Sequence, residues 1–184
     1  MIETIAIILT GLGLTASLFY YATVIQNANK TQQMQLETRQ AQFFMQYANA
    51  FHSPENLSFW VELVRYEWED IADFERKYGS VDHPDAFGKR YSFWARLNDL
   101  GWLVEKGIVD IADVNALMNQ LAIWTWEKFE QIIYERRIIY NLPDEMIYWE
   151  RLVQNIMEYR KRENILTETP EYYDDYLSTV KDNP

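Results

Sequence analysis

The feature that most constrains this chain is an uncharged run close to its start. Residues Thr4 to Ile25 read TIAIILTGLGLTASLFYYATVI and contain no Asp, Glu, Lys or Arg. At about 1.5 Å per helical residue, such a run would span roughly 33 Å as a helix, enough to cross a hydrocarbon core of about 30 Å. The sequence therefore predicts one transmembrane helix over residues 1–26, with the rest of the chain on one side of the membrane.

A cleaved signal peptide and a buried core helix are the alternatives for this run. A signal peptide would need a basic start and a shorter apolar stretch, whereas this chain begins with Met1, Ile2 and Glu3. Core helices seldom stay uncharged for so long. Lys30 and Arg39 follow the run, and basic residues stay on the cytoplasmic side. We therefore expect a single-pass protein of the cell (plasma or inner) membrane, with its C-terminal body in the cytoplasm.

The rest of the chain is acidic, apolar enough to form a core, and free of cysteine. The 184 residues carry a net charge of −11, and 48% of them are hydrophobic. After the first helix there is room for one domain. The acidic charge argues against nucleic acid as a partner, because sequence-independent binding needs a positive surface. Without cysteine, disulfides and thiolate metal sites are excluded.

Helical signals dominate after the uncharged run. Residues 27–52 contain no Gly or Pro and predict a juxtamembrane helical rod. Residues 53–166 predict a helical bundle, and residues 167–184 an acidic tail. Helix starts are predicted at Ser53, Asp82, Asp110 and Pro143, and helix ends at Gly79 and Gly107. Apolar residues follow each start at helical spacing and no run alternates with period two. The fold class is therefore predicted to be all-α, a bundle of about four helices.

Residues 90–137 carry a recognisable pattern. It consists of Tyr91, Phe93, Asn98-Asp99-Leu100-Gly101, Leu103-Val104, Gly107, Asp110, Trp126-Glu127-Lys128, Ile132-Ile133 and Arg136-Arg137. This pattern resembles an uncharacterised prokaryotic family, domain of unknown function 4760. The resemblance implies a membrane-tethered helical domain and transfers no activity, substrate or catalytic residue.

No catalytic, cofactor or metal site is predicted. His52 and His83 are the only histidines, and each lies beside a predicted helix start rather than at metal-ligand spacing. The sequence contains neither a Gly-rich phosphate loop nor a nucleophile elbow. Trp102 and Trp126 fit the apolar stripes less well than the other tryptophans and are predicted to lie at the surface. An enzyme is therefore not expected.

Two groups of residues are candidate binding sites. The first is a stripe of small residues on the first helix that could allow two copies to approach closely. Its members are Ala6, Thr10, Gly13 and Ser17. The second comprises two basic clusters that could bind an anion, although pairing with nearby acids is the alternative. Its members are Arg136, Arg137, Arg160, Lys161 and Arg162.

Two functions of different classes are compatible with these features. The first is a membrane-anchored helical interaction or scaffold protein without catalysis, either a homo-oligomer or an accessory subunit bound to a partner membrane protein. The second is a ligand-gated membrane effector that senses a small anion, such as a nucleotide, through its helical domain. The sequence favours the first, because no catalytic constellation and no phosphate loop are present.

Overall fold

The structure is a computed structural model that describes residues 2–165, apart from the side chains of residues 5–8 and 10. The described residues form six α-helices and no strand, which confirms the all-α prediction for this part of the chain. The helices are α1 (Ile2–Phe51), α2 (Pro54–Val64), α3 (Ile71–Tyr78), α4 (Pro84–Glu105), α5 (Ile111–Ile139) and α6 (Ile147–Arg162). The predicted acidic tail, residues 167–184, lies outside the described residues.

The first helix is continuous over 50 residues. The predicted transmembrane segment, residues 1–26, and the predicted rod, residues 27–52, are thus parts of one helix. The chain divides into two compact units, residues 1–45 and residues 46–184. Ala48 and Phe51, at the end of α1, are each 1% exposed and belong to the core of the second unit. That core therefore includes the last turns of the rod.

The prediction of a single-pass membrane protein is corrected by the structure. Over the part of the chain that it describes, none of the helices combines the length and the apolar character that crossing a membrane requires. The prediction rested on the lack of charge in residues 4–25. That run also contains hydroxyl groups and glycines, at Thr10, Gly11, Gly13, Thr15, Ser17, Tyr20, Tyr21 and Thr23. The predicted localisation, which rested on the lack of charge, is therefore wrong.

One predicted helix is two helices in the structure. The sequence predicts a single helix from Ser53 to Gly79, but the chain leaves helical geometry after Val64 and α3 begins only at Ile71. The carboxylate of Asp70 accepts a hydrogen bond from the backbone nitrogen of Asp73 at 2.8 Å, which caps the new helix. The body thus has five helices after α1, rather than about four, because this internal cap was overlooked.

The last helix also starts later than its sequence predicts. Pro143 was the expected start, whereas α6 begins at Ile147. Met146 precedes it with a φ of 56°, in the left-handed region. Residues 143–146 therefore form a turn that reverses the chain, and a residue from another helix supplies the side-chain cap, as described below.

The core lies where α4 and α5 pack against α6. Its centre is aromatic: the ring of Trp94 lies 5.0 Å from that of Phe129 and 6.2 Å from that of Trp149. Trp126 packs edge-on against Trp149 at 5.2 Å and is 4% exposed, so its predicted surface position is wrong. Trp102, predicted at the surface, is 40% exposed. The difference arises because α5 buries side chains around most of its circumference.

Candidate functional site

Arg136, near the end of α5, lies at the centre of a buried charge cluster. Its guanidinium donates to Glu145 from Nε at 3.3 Å and from Nη2 at 3.2 Å, and its Nη1 donates to Glu75 of α3. Burial alone would lower the pKa of Arg136, but the carboxylates of Glu145 and Glu75 outweigh it and raise that pKa above its ordinary value. Arg136 thus joins α3 to the turn before α6.

The guanidinium of Arg137 also hydrogen-bonds to groups of this chain. Its Nε donates to the carbonyl oxygen of Glu145 at 2.9 Å, and its Nη1 donates to Oε2 of Glu150 at 2.7 Å. The hydroxyl of Tyr134 donates to the other oxygen of Glu150 at 3.1 Å. Each arginine of the first basic cluster is therefore paired with a carboxylate of this chain. An anionic ligand would compete with these carboxylates, although Nη2 of Arg137 makes no hydrogen bond among the described residues.

Arg90, on α4, completes the cluster without a carboxylate partner. It is fully buried, and its guanidinium carbon lies 4.4 Å from the ring centre of Trp94 and 4.6 Å from that of Phe74. Its Nη2 donates to the carbonyl oxygen of Tyr78 at 3.3 Å, whereas Nε and Nη1 make no hydrogen bond among the described residues. Burial, followed by the charge of Arg136, lowers the pKa of Arg90 to about 10.

The second basic cluster lies at the other end of α5. Arg160 donates from Nη1 to Oδ1 of Asn115 at 3.3 Å, and Arg162 pairs with the adjacent Glu163 at 3.1 Å. Asn115 and Arg136 are separated along α5 by about 30 Å, at about 1.5 Å per residue. The structure therefore does not bring the two basic clusters together. The anion site predicted from both has no common location in this fold.

The small-residue stripe lies on the first part of α1. The side chains of Ala6 and Thr10 are outside the described residues. A Cβ placed on Gly13 would meet nothing within 4 Å, and the hydroxyl of the exposed Ser17 donates to the carbonyl oxygen of Gly13 at 2.8 Å. The stripe thus leaves its backbone open and satisfies its own hydroxyl, as a close-approach surface requires.

The described residues contain no metal site. Within them, no group of three or more His, Cys, Asp or Glu side chains lies close enough to hold a metal ion. His83 precedes α4 without a side-chain cap, and His52 lies at the end of α1. The expectation of a protein without metal or cofactor stays a prediction.

Several residues of the pattern that resembles this family cap helices or allow helices to pack closely. Asn98 accepts hydrogen bonds from the first turn of α6. Gly101 faces the same turn, where an added Cβ would lie 1.9 Å from the carbonyl oxygen of Tyr148. Gly107 ends α4 with a φ of 67°, and Asp110 caps α5 through the nitrogen of Ala112 at 2.8 Å. These positions hold the fold together and do not form a reaction centre.

Comparisons with protein-family models, with curated proteins and with solved structures give no match for this chain. The resemblance to domain of unknown function 4760 stays a prediction.

Three members of the charge cluster were missed in the sequence. Arg90, Glu75 and Glu145 have no local motif, and their partners are distant in the chain or aromatic. Arg136 and Glu75 are 61 residues apart. One feature of the sequence does indicate a buried charge. Arg90 lies on the same stripe of α4 as Trp94 and Leu97, and arginine is rarely fully buried without a partner.

Proposed function

We propose that this chain is a non-catalytic interaction protein whose copies associate through the first part of α1. The observation that supports this most is the exposure of large apolar side chains on that helix. They are Leu9, Leu12, Leu14, Leu18, Phe19, Tyr20, Tyr21, Val24 and Ile25, each between 44% and 71% exposed. Proteins that remain monomeric rarely leave so much contiguous apolar surface in water.

A second copy of the same helix is the occupant that fits this surface. Residues 4–25 carry no charge, although the chain as a whole carries −11. When two such segments pack together, no like charges meet and no charge is buried. A helix face that exposes large apolar side chains is normally buried against another element. Association through this segment buries it, whereas association through the acidic remainder would be opposed by charge repulsion.

The contact is assigned to the face that carries the small residues. Gly13 and Ser17 are four residues apart, so they lie one above the other on the helix. Leu14 lies three residues before Ser17 and Tyr21 four residues after it, so both border that stripe. Small residues admit the partner backbone, and the flanking large side chains pack around it. The same geometry places Thr15 and Ala22 on the opposite side of α1.

Paired substitutions test this assignment. Gly13→Leu with Ser17→Leu adds two bulky side chains to the proposed contact and should weaken association by blocking close approach. Thr15→Leu with Ala22→Leu adds comparable apolar volume to the opposite side and should leave association unchanged. Chemical cross-linking of each purified protein over a range of concentrations gives the comparison. Equal cross-linking of both variants would refute the assigned face.

The absence of catalysis is supported by the charge cluster. The charged groups of Arg136, Glu75 and Glu145 bind one another, which holds the helices in place, and Arg136 and Glu145 are buried away from a substrate. The anion-sensing alternative loses its main support for the same reason, since Arg136 and Arg137 are already paired. We therefore do not extend the proposal to a ligand-gated effector.

A further inference from the structure

A groove between α2 and α5 is preformed and partly apolar. It has a volume of about 410 Å³, and its lining includes His52, Leu57, Trp60, Ala116, Leu117 and Leu121. Leu57 and Leu117 are 37% and 39% exposed. Trp60 is held in place because its indole nitrogen donates to Oγ1 of Thr125 at 2.9 Å and its ring stacks on Trp124 at 6.0 Å. A cavity of this size accommodates a few side chains.

We propose that the C-terminal tail of the same chain, residues 166–184, docks in this groove through its aromatic segment, residues 171–177. That segment reads EYYDDYL and contains Tyr172, Tyr173, Tyr176 and Leu177. Tyrosine presents a large apolar ring with a polar end, which suits a groove lined by apolar side chains together with His52, Asn119 and Gln120.

The place where the described chain ends supports this occupant. Its last residue, Ile165, donates from its backbone nitrogen to the carbonyl oxygen of Arg160 at 2.8 Å. Arg160 in turn donates to Asn115, the residue directly before Ala116 in the groove lining. The last described residue therefore lies near the groove. From residue 165 to residue 171 an extended chain covers about 20 Å, at about 3.3 Å per residue.

The acidic charge of the tail is compatible with this groove. The tail carries Glu168, Glu171, Asp174, Asp175 and Asp182 against one basic residue, Lys181. Among the residues that line the α2–α5 groove in the described structure there is no carboxylate. Two other grooves on α2 contain carboxylates beside bases, Glu62 with Arg65 in one, and Glu55 and Glu62 with Lys89 and Arg96 in the other. Their charges are therefore balanced, and the choice of the α2–α5 groove rests on its apolar lining residues and on where the described chain ends.

A photo-cross-linker at a single cysteine tests the proposal in the full chain. The protein has no cysteine, so Leu117→Cys can be labelled with a benzophenone maleimide without side reactions. Trp102→Cys is the matched control, because Trp102 is 40% exposed, lies on α4 and lies outside the groove. We expect the Leu117 label to cross-link to residues 166–184 of its own chain, with a yield that does not change on dilution.

Isotope mixing and a tail variant complete the experiment. In a mixture of ¹⁴N- and ¹⁵N-labelled protein, the expected cross-linked peptides carry one isotope only. Replacing Tyr172, Tyr173 and Tyr176 with Ser should lower the cross-linked fraction about tenfold or more, since the rings supply the apolar contact. Mixed-isotope peptides, or equal cross-linking from Leu117→Cys and Trp102→Cys, would overturn docking within the chain. If labelling at Leu117 lowers helicity, Ala116→Cys gives the same readout.

Discussion

The side-chain oxygen of Asn98, in α4, accepts a hydrogen bond from the backbone nitrogen of Trp149, 3.2 Å away in the first turn of α6. The same oxygen accepts from the nitrogen of Tyr148 at 3.0 Å. Helices usually satisfy such nitrogens with their own N-cap residue, but Met146, which precedes α6, makes no side-chain cap. A residue from a neighbouring helix therefore performs this function and fixes how α4 and α6 pack.

Asn98→Ala should lower the free energy of unfolding by about 1–2 kcal/mol, because it leaves two backbone nitrogens of α6 without an acceptor. Asn98→Asp keeps the acceptor and adds a negative charge at a helix N-terminus, where it is favourable. It should therefore be much less destabilising. Urea denaturation followed by circular dichroism measures both. Equal losses from the two variants would mean that the hydrogen bonds contribute little.

Two glycines of the same helix should respond in opposite ways to alanine. At Gly101, an added Cβ would lie 1.9 Å from the carbonyl oxygen of Tyr148, so Gly101→Ala must push α6 away and destabilise the protein. At Gly88, a Cβ meets nothing within 4 Å, so Gly88→Ala should stabilise by up to about 1 kcal/mol through helix propensity. Thermal unfolding of the two variants gives the comparison, and a stable Gly101→Ala protein would contradict the close approach.

The two buried arginines should differ when each is replaced with methionine. Arg136→Met strands the carboxylates of Glu75 and Glu145 in the interior and should cost about 3–5 kcal/mol. Arg90→Met strands no carboxylate, and the methionine can pack on the aromatic rings, so the free energy of unfolding should change by about 1 kcal/mol or less. Chemical denaturation ranks the two. A larger loss from Arg90→Met would show that its charge stabilises the cluster.

Asp73 should make stability depend on acid pH. The hydrogen bond from Lys77, opposed by burial and aided by Arg76, lowers the pKa of its carboxyl to about 2. Because the folded pKa lies below the ordinary value of about 4, this stabilisation is present above about pH 4 and is lost as pH falls towards 2. Asp73→Asn should therefore be less stable than the unmodified protein at pH 6 and equally stable near pH 2. Melting temperatures across that range test this, and a constant difference would contradict it.

Local signals predicted part of this fold correctly. Ser53 was predicted as a helix cap, and its hydroxyl accepts from the nitrogen of Asn56 at 3.3 Å. Asp110 was predicted as another, and Gly107 as a helix end, and both have those positions. Each of these interactions joins residues at most three apart in the sequence, so the residue types alone indicate it.

Interactions between distant residues were not predictable from one sequence. Asn98 and Trp149 are 51 residues apart, and nothing near either of them identifies the other. The same holds for Glu75 and Arg136, so Arg136, a candidate anion ligand whose pairing with nearby acids was the alternative, is paired with an acid 61 residues away. The prediction of a membrane span rested on the lack of charge in residues 4–25, whereas no helix of the described residues has the length and apolar character that a span requires.

Self-association through α1 is the central claim, and removal of that helix segment tests it most directly. Sedimentation velocity of the full chain should show an oligomer that dissociates on dilution, whereas a chain of residues 46–184, the second compact unit, should be a monomer with a helical circular dichroism spectrum. A full chain that is monomeric throughout, or that floats with lipid vesicles without forming oligomers, would contradict the claim. So would an oligomer of the same size in both proteins.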